Sequence, residues 1–502
     1  MAASRAEEIV LEAVRSDLTP EPCATQSLRR PLVRLLPRAA ASQANWRALP
    51  RPAVSALFLH LPVLDLFRLG HLFTPRWLEV WRGDPFEVHD AQFARLPIPR
   101  SRVADAIGTV LDMYLAAAEE DEDVEGGTYG AVGHGRVKSF RVESTEWRAE
   151  HAARWCAALQ RGGAFEVVLF NRGFSGDPPV LAPVPRGLRE CVSLRVLHLG
   201  FFTVEAGELD ALARAIQLGL HGCACRPGVV EGVVAGCRQL EKLWVHDGSL
   251  EHVAVRSSPQ LWRLSMLRTA SRSLTVDDAP LLQVIFPGSA ATLRISRLPM
   301  LRRLLCLDLA NTSLEIKGDQ VDSRPPPRIG CWQVPDYRQQ DVRPKMRSVV
   351  MLRLIVDYAE LGAMTPLAVE ETLRRFPRVS SLFIQRKKDV TEAEGLASIT
   401  DPHYLDLFRG VECVGRTLQC ITLLNFQGGK IEMALAKAIL ATAKALGTIV
   451  LTHDDDRPGI ADALLEADQA LDQSPRNCNN PLLPLRIVHQ TMSGFEYNAR
   501  LG

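Results

Sequence analysis

From residue 165 onward the chain repeats short alternating apolar runs, and the spacing of those runs predicts its architecture. FEVVLFN at 165 reads as an apolar strand. CVSLRVLHLG at 191, CRQLEKLWVHD at 237, PQLWRLSMLRT at 259, PLLQVIFPG at 280 and PMLRRLLCLD at 299 each open on Cys or Pro, follow with Leu, and continue in alternation. Aligning Leu240, Leu261, Leu281 and Leu301 gives steps of 21, 20 and 20 residues. Leu194 lies 46 residues before Leu240, two steps with an insertion. Shorter strands, SLEHVAV, SLTVDD, TLRISR and SLEIKG, fall between the main ones. One such unit cannot bury its apolar face alone, whereas stacked neighbours share a continuous core, so a solenoid is expected.

The flanking segments continue or frame this array. VKSFRVES alternates like a strand, and WRAEHAARWCAAL is an amphipathic helix with Trp147, Ala152, Trp155 and Leu159 toward the core. Downstream, MRSVVMLRLIVDY predicts a strand, TPLAVEETLRRF a helix and PRVSSLFIQ another repeat strand. CVGRTLQCITLLNFQGG reads as a strand running into a turn. EMALAKAILATAKAL reads as a helix with Ala434, Leu435, Ala438, Leu440 and Ala441 on its apolar side, and GTIVLT as a final strand.

Residues 45 to 82 follow a different pattern, with short apolar helices punctuated by prolines. Pro52 suits a first helical turn, with Val54, Leu57, Phe58 and Leu61 at helical spacing. Pro62 opens a second helix, with Asp65 where the dipole favours an acid and Leu64, Phe67, Leu69 and Leu72 as its apolar content. Thr74 and Pro75 cap and start a third, which carries Trp77, Val80 and Trp81. Three helices this short bury little surface alone, so the module is expected to complete its core against a partner.

The resulting division is a partly disordered N-terminal extension (1–44), the helical module (45–90), a helix with an acidic and glycine-rich linker (91–135), the repeat region (136–321), a proline-rich loop (322–347), C-terminal repeats (348–452) and a tail (453–502).

Composition narrows the function. Lys+Arg 59 against Asp+Glu 58 leaves a net charge of +1, which makes no electrostatic case for nucleic acid or an anionic membrane. No run of apolar residues reaches spanning length, and MAASRAEEIV has acids where a signal peptide needs a basic segment and an apolar core. Eleven scattered cysteines without framework spacing read as reduced thiols of a cytoplasmic or nuclear protein. His221, Cys223 and Cys225 form an HxCxC cluster, but no second ligand pair follows and no metal is assigned. GGTYGAVGHGRVKS lacks the ending of a phosphate loop, and GFSG at 173 is one residue short of a nucleophile elbow. No catalytic residue, cofactor or metal is therefore assigned, and the expectation is a protein that is not an enzyme.

Three sets of residues, in order, resemble the plant F-box/leucine-rich-repeat/FBD family. Leu49-Pro50, Leu57, Leu61-Pro62, Asp65, Arg68, Leu72, Arg76-Trp77 and Trp81 match its F-box frame. The Cys/Pro-x-Leu-x-x-Leu repeat matches its middle, and Cys413-Val414, Leu418, Ile421, Asn425-Phe426, Gly428, Glu432, Ala434-Leu435 and Ala443 match its FBD pattern. The resemblance implies an α/β chain: a three-helix F-box, an open leucine-rich-repeat solenoid of strand-turn-helix repeats, and an FBD-like C-terminal cap. It implies a non-catalytic adaptor of a Skp–cullin–F-box ubiquitin ligase, with Leu49, Pro50, Leu57, Leu61, Pro62, Leu66 and Trp77 docking on the Skp adaptor and the repeats holding an unknown protein substrate. Those seven residues have a second reading, as the internal core of the three-helix unit. Arg51 and Pro52 replace the family's acids, and FTPR adds about one residue before Trp77. These departures keep open an alternative, an interaction scaffold whose F-box no longer docks.

Overall fold

The computed structural model describes residues 86–95, 99–119, 137–171, 181–209, 212–317, 344–387, 406–453, 460–473 and 486–491. The first strands are β1 Phe86–His89, β2 Val137–Val142, β3 Glu166–Phe170, β4 Ala182–Pro183, β5 Val196–Gly200, β6 Phe202–Val204, β7 Gln217–His221 and β8 Ala224–Cys225. The central repeats supply β9 Lys242–His246, β10 Ser249–Arg256, β11 Arg263–Ser265, β12 Ala270–Asp277, β13 Val284–Phe286, β14 Ser289–Ser296, β15 Arg303–Asp308 and β16 Ser313–Lys317. The last are β17 Met351–Val356, β18 Ser381–Arg386, β19 Cys420–Leu424, β20 Thr448–His453 and β21 Arg486–Thr491. The α-helices are α1 Val103–Glu119, α2 Ala149–Arg161, α3 Val229–Gly236, α4 Tyr358–Leu361, α5 Thr365–Arg374, α6 Glu412–Arg416, α7 Lys430–Thr442 and α8 Ile460–Asp472.

Among the described residues, fourteen strands pair in parallel in the order β1-β2-β3-β5-β7-β9-β11-β13-β15-β17-β18-β19-β20-β21. Each neighbour in this main sheet is one repeat further along the chain, which is solenoid topology. Leu197, Leu218, Leu243, Leu264, Ile285, Leu304, Leu352, Leu382, Ile421 and Ile449 each occupy the corresponding position of successive strands, and all are buried. A continuous core therefore runs behind the sheet.

What closes the core from the far side changes along the chain. At the start it is α1 packed on α2, where Trp155 lies 5.5 Å from Phe140 and 6.0 Å from Trp147, centroid to centroid. In the middle it is a second parallel sheet, β10-β12-β14-β16, whose Val253, Val255, Leu274, Val276, Leu293 and Ile295 face inward. Near the end helices return, with α5 against α6 and α7, and α7 against α8. The central repeats are thus strand on strand, as the short runs between them predict, and not the strand-turn-helix units that the family resemblance implies. A third, three-stranded sheet, β4-β6-β8, precedes them.

The turns between the two sheets demand left-handed backbone at regular intervals. Asp247, Arg268 and Gly288 follow three successive main strands, with φ of 56°, 54° and 66°. Arg268 also donates through Nη2 to Asp247 Oδ2 at 2.7 Å, fastening one corner to the next. At Gly288 a Cβ would lie 2.1 Å from the Met266 carbonyl oxygen, so only glycine fits there.

Several sequence expectations need correction. The main sheet begins at Phe86, inside the segment assigned to the helical module (45–90) and well before the repeat boundary at 136. Asp90 anchors this first strand: its Oδ2 accepts the Glu143, Ser144 and Thr145 amides at 3.0, 2.7 and 2.9 Å and both neighbouring hydroxyls. Leu281 is largely exposed and Leu282 takes the buried repeat position, so the steps from Leu261 to Leu301 are 21 and 19 residues. Cys413 and Val414 lie in α6, not in a strand, because both must face the core one turn before β19. In α7 Ala434 and Ala441 are half-buried, and Ile431, Ala436 and Ile439 complete the buried side. The segment taken as a tail from 453 adds α8 and β21, and β21 pairs with β20 beyond the strand expected to be last.

Candidate functional site

Side chains on a strand alternate between faces, so the residues between the core leucines point to the open side of the main sheet. Two rows follow from the register. One runs Glu166, Val196, Gln217, Lys242, Arg263, Val284, Arg303, Met351, Ser381, Cys420, Thr448. The other begins Arg141, Val168, His198, Gly219, Trp244, Ser265, Phe286, and resumes past an irregularity in β15 with Arg353, Phe383, Thr422, Val450. These rows make up the open face of the main sheet.

The first third of this face is filled with rings. His198 and His221 stack with centroids 5.3 Å apart, and His198 Nδ1 lies 3.0 Å from His221 Nε2. His221 also stacks on Phe170 at 5.4 Å and meets His246 edge-on at 5.2 Å, while Trp244 packs on His198 at 5.2 Å. Glycine makes this possible, since a Cβ on Gly219 would lie 2.1 Å from His198 Nδ1. His246 Nε2 shares a hydrogen bond with Ser265 Oγ at 3.0 Å. Burial drives all three imidazoles toward the neutral form: His221 falls to about 4, and His198 and His246 are held well below the free value. For His198 the neighbours His221, Arg141, His246 and Lys242 add to the effect.

Beyond the rings the face becomes cationic and more open. Lys242, Arg263 and Arg303 stand in one row on β9, β11 and β15, with Arg353 two residues on in β17. Apolar rings lie between them. Lys242 Nζ is 5.2 Å from the centre of the Trp262 ring, and the Arg263 guanidinium is 5.6 Å from that of Phe286. Arg353 donates to Gln385 Oε1 at 2.9 Å through Nη2. Glu166, the acid of the first row, is engaged by Arg141 three strands from Lys242.

The C-terminal part is organised by a buried ion pair. Arg386 at the end of β18 meets Glu432 in the first turn of α7 at 3.3 Å, with side chains 4% and 3% exposed. Glu432 Oε2 accepts the Gln427 and Gly429 amides at 3.1 and 3.0 Å, so one carboxylate caps the helix and holds the preceding turn. Asn425 takes φ 60° in that turn, and Phe426 is buried. Thus Asn425, Phe426 and Glu432 cooperate in one turn-and-cap unit.

Leu49, Pro50, Leu57, Leu61, Pro62, Leu66 and Trp77 lie outside the described residues, as do residues 322–343 of the proline-rich loop. His221, Cys223 and Cys225 separate: His221 joins the ring stack, while the Cys223 thiol is in the core, donating to the Leu199 carbonyl at 3.4 Å. Burial pushes the Cys223 thiol to about 11 and those of Cys225 and Cys413 to about 12, so they stay protonated. No group of three or more metal-binding side chains occurs among the described residues. Trp244 is buried on the open face, and Trp262 lies half-buried just before β11. Sequence reading missed the cationic row. Its signal was available, because Lys242, Arg263 and Arg303 each stand one residue before a core leucine of their repeat.

No helix among the described residues is long and apolar enough to cross a membrane. No curated protein gives a significant match. A family model described as FBD-associated F-box protein At5g56370, LRR repeats, matches residues 152–384, from α2 through β18. Residues 152–384 are thus similar to the leucine-rich repeats of FBD-associated F-box proteins.

Proposed function

We propose that the chain is the substrate-recruiting subunit of a Skp–cullin–F-box ubiquitin ligase. The observation that carries the reading is the match of residues 152–384 to the repeats of FBD-associated F-box proteins. The F-box-like pattern from Leu49 to Trp81 lies N-terminal to these repeats in the chain. In this reading Leu49, Pro50, Leu57, Leu61, Pro62, Leu66 and Trp77 dock on the Skp adaptor, and the open face of the main sheet holds a substrate protein. Catalysis is by proximity: tethering raises the local concentration of a substrate lysine near a charged ubiquitin carrier, and this chain supplies no acid, base or nucleophile. The protein then works in the cytoplasm or nucleus without a cofactor.

The test is assembly. Full-length chain, Skp adaptor and cullin are mixed and resolved by size exclusion. Co-elution of all three, dependent on the Skp adaptor, is the expected result. A folded chain that elutes alone contradicts the reading. It would favour the second one, an interaction scaffold whose F-box has ceased to dock, to which Arg51, Pro52 and the FTPR segment point.

A further inference from the structure

We propose that the open face between β9 and β17 receives an acidic, extended segment of the partner protein. The inference rests on reading the repeat body as protein-binding, which the adaptor and the scaffold share.

Charge and its placement carry the argument. Lys242 and Arg263 are in register on adjacent strands, roughly 5 Å apart at the backbone, and Arg303 follows two strands on, at roughly 10 Å. Arg353 stands one strand further along in the second row, two residues beyond the Met351 that continues the first. Among the described residues, no position of β9, β11, β13, β15, β17 or β18 that faces the open side in these rows carries a carboxylate. Asp308, at the end of β15, is buried and accepts the Ala310 and Asn311 amides. Arg303 and Arg353 bring two guanidiniums to adjacent strands of one face, and carboxylates arriving beside them are attracted to both.

The surroundings favour a peptide. Phe286, Met351 and Phe383 are half-buried on the same face, among the cations, so a segment carrying both acidic and apolar residues would satisfy both. Carboxylates suit the arginines in particular, because a guanidinium can engage both oxygens at once. An extended segment lying across the strands presents alternate side chains to the sheet at roughly 7 Å, so successive carboxylates reach cations one to two strands apart.

The experiment is fluorescence polarisation with the full-length chain. The probe is a short fluorescein-labelled peptide of alternating acidic and phenylalanine residues. Its counterpart with lysine for each acid and a labelled oligodeoxythymidylate serve as comparisons. The acidic peptide is expected to bind, and to bind more weakly as salt rises, while the lysine peptide does not bind. Arg303→Glu and Arg353→Glu should each weaken binding by about tenfold or more. Lys317→Glu, on the exposed side of the second sheet, should leave it unchanged. Arg303→Ala, milder at an exposed position, should give a smaller loss in the same direction. Thermal unfolding of each variant confirms that the fold is kept.

Equal affinity of folded Arg303 and Arg353 variants, or no binding of the acidic peptide, overturns the inference. So does equally tight oligodeoxythymidylate binding through the same arginines, which would make this a general polyanion surface. The same samples are tested for Skp adaptor binding. Peptide bound without the adaptor leaves the inference standing and removes the ligase reading. The adaptor bound without the peptide removes the inference alone.

Discussion

His198 Nδ1 lies 3.0 Å from His221 Nε2, and the two rings are stacked at 18° on neighbouring strands of the main sheet. One nitrogen must donate and the other accept, so the contact is lost when both rings are doubly protonated. With His246 beside them, three imidazoles lie buried and neutral on one face. Arg141, Lys242, Arg263 and Arg268 face them as cations, and Asp247 is the acid that favours protonation of His221.

That cluster predicts acid sensitivity. Each imidazole has its pKa depressed by folding, so unfolding takes up protons at any pH between the folded and free values. Stability is then fully present above the free value of 6.5 and falls as the pH drops from there toward 4. The slope approaches about 1.4 kcal/mol per pH unit for each group that titrates. Thermal unfolding between pH 7.5 and 5.5 should show a clear drop in midpoint, and His221→Phe should flatten it by about a third, as one of three such groups. An unchanged midpoint across that range in the parent chain would contradict the placement of these rings.

The Arg386–Glu432 pair predicts a cost confined to the C-terminal repeats. Glu432→Ala leaves the Arg386 charge buried and the Gln427 and Gly429 amides without their acceptor. The expected loss is about 3–5 kcal/mol, read from the urea midpoint. Hydrogen exchange should rise most in β18 and α7, the elements the carboxylate holds together. A loss below about 1 kcal/mol would mean that solvent reaches the pair.

Gly288→Ala tests the solenoid corner. The left-handed backbone costs an L-residue about 1–2 kcal/mol, and the new methyl would overlap the Met266 carbonyl 2.1 Å away. Destabilisation beyond the backbone cost alone is therefore expected. Gly228→Ala is the comparison, since it is also left-handed but open around its Cβ position, and its loss should be the smaller one.

The core of this fold was legible because it is written in one residue type at one spacing. Leu240, Leu261 and Leu301 announce the repeats, and Ala152, Trp155 and Leu159 announce the buried side of α2. Register within a repeat was harder, as the Leu281–Leu282 pair shows: two adjacent leucines satisfy the pattern and only packing selects one. α8 was missed although Leu464, Ala467 and Leu471 recur at helical spacing, because the acidic HDDDRPG before it reads as the end of a domain. The open face was the least legible part. Alternation says that Lys242 and Trp244 share a face, but the same pattern fits a solvated face or a packed one. Only the register of neighbouring strands brings Lys242, Arg263 and Arg303 into a row, or stacks His198 on His221 across Gly219.

The most direct test of the ligase reading is calorimetric titration of the full-length chain with a plant Skp adaptor, with Leu61→Asp and Trp77→Ala variants in parallel. The account predicts submicromolar binding by the parent chain and loss of binding in both variants, whose solenoids unfold at the parental temperature. A folded parent chain that does not bind, or variants that bind as well as the parent, would contradict it.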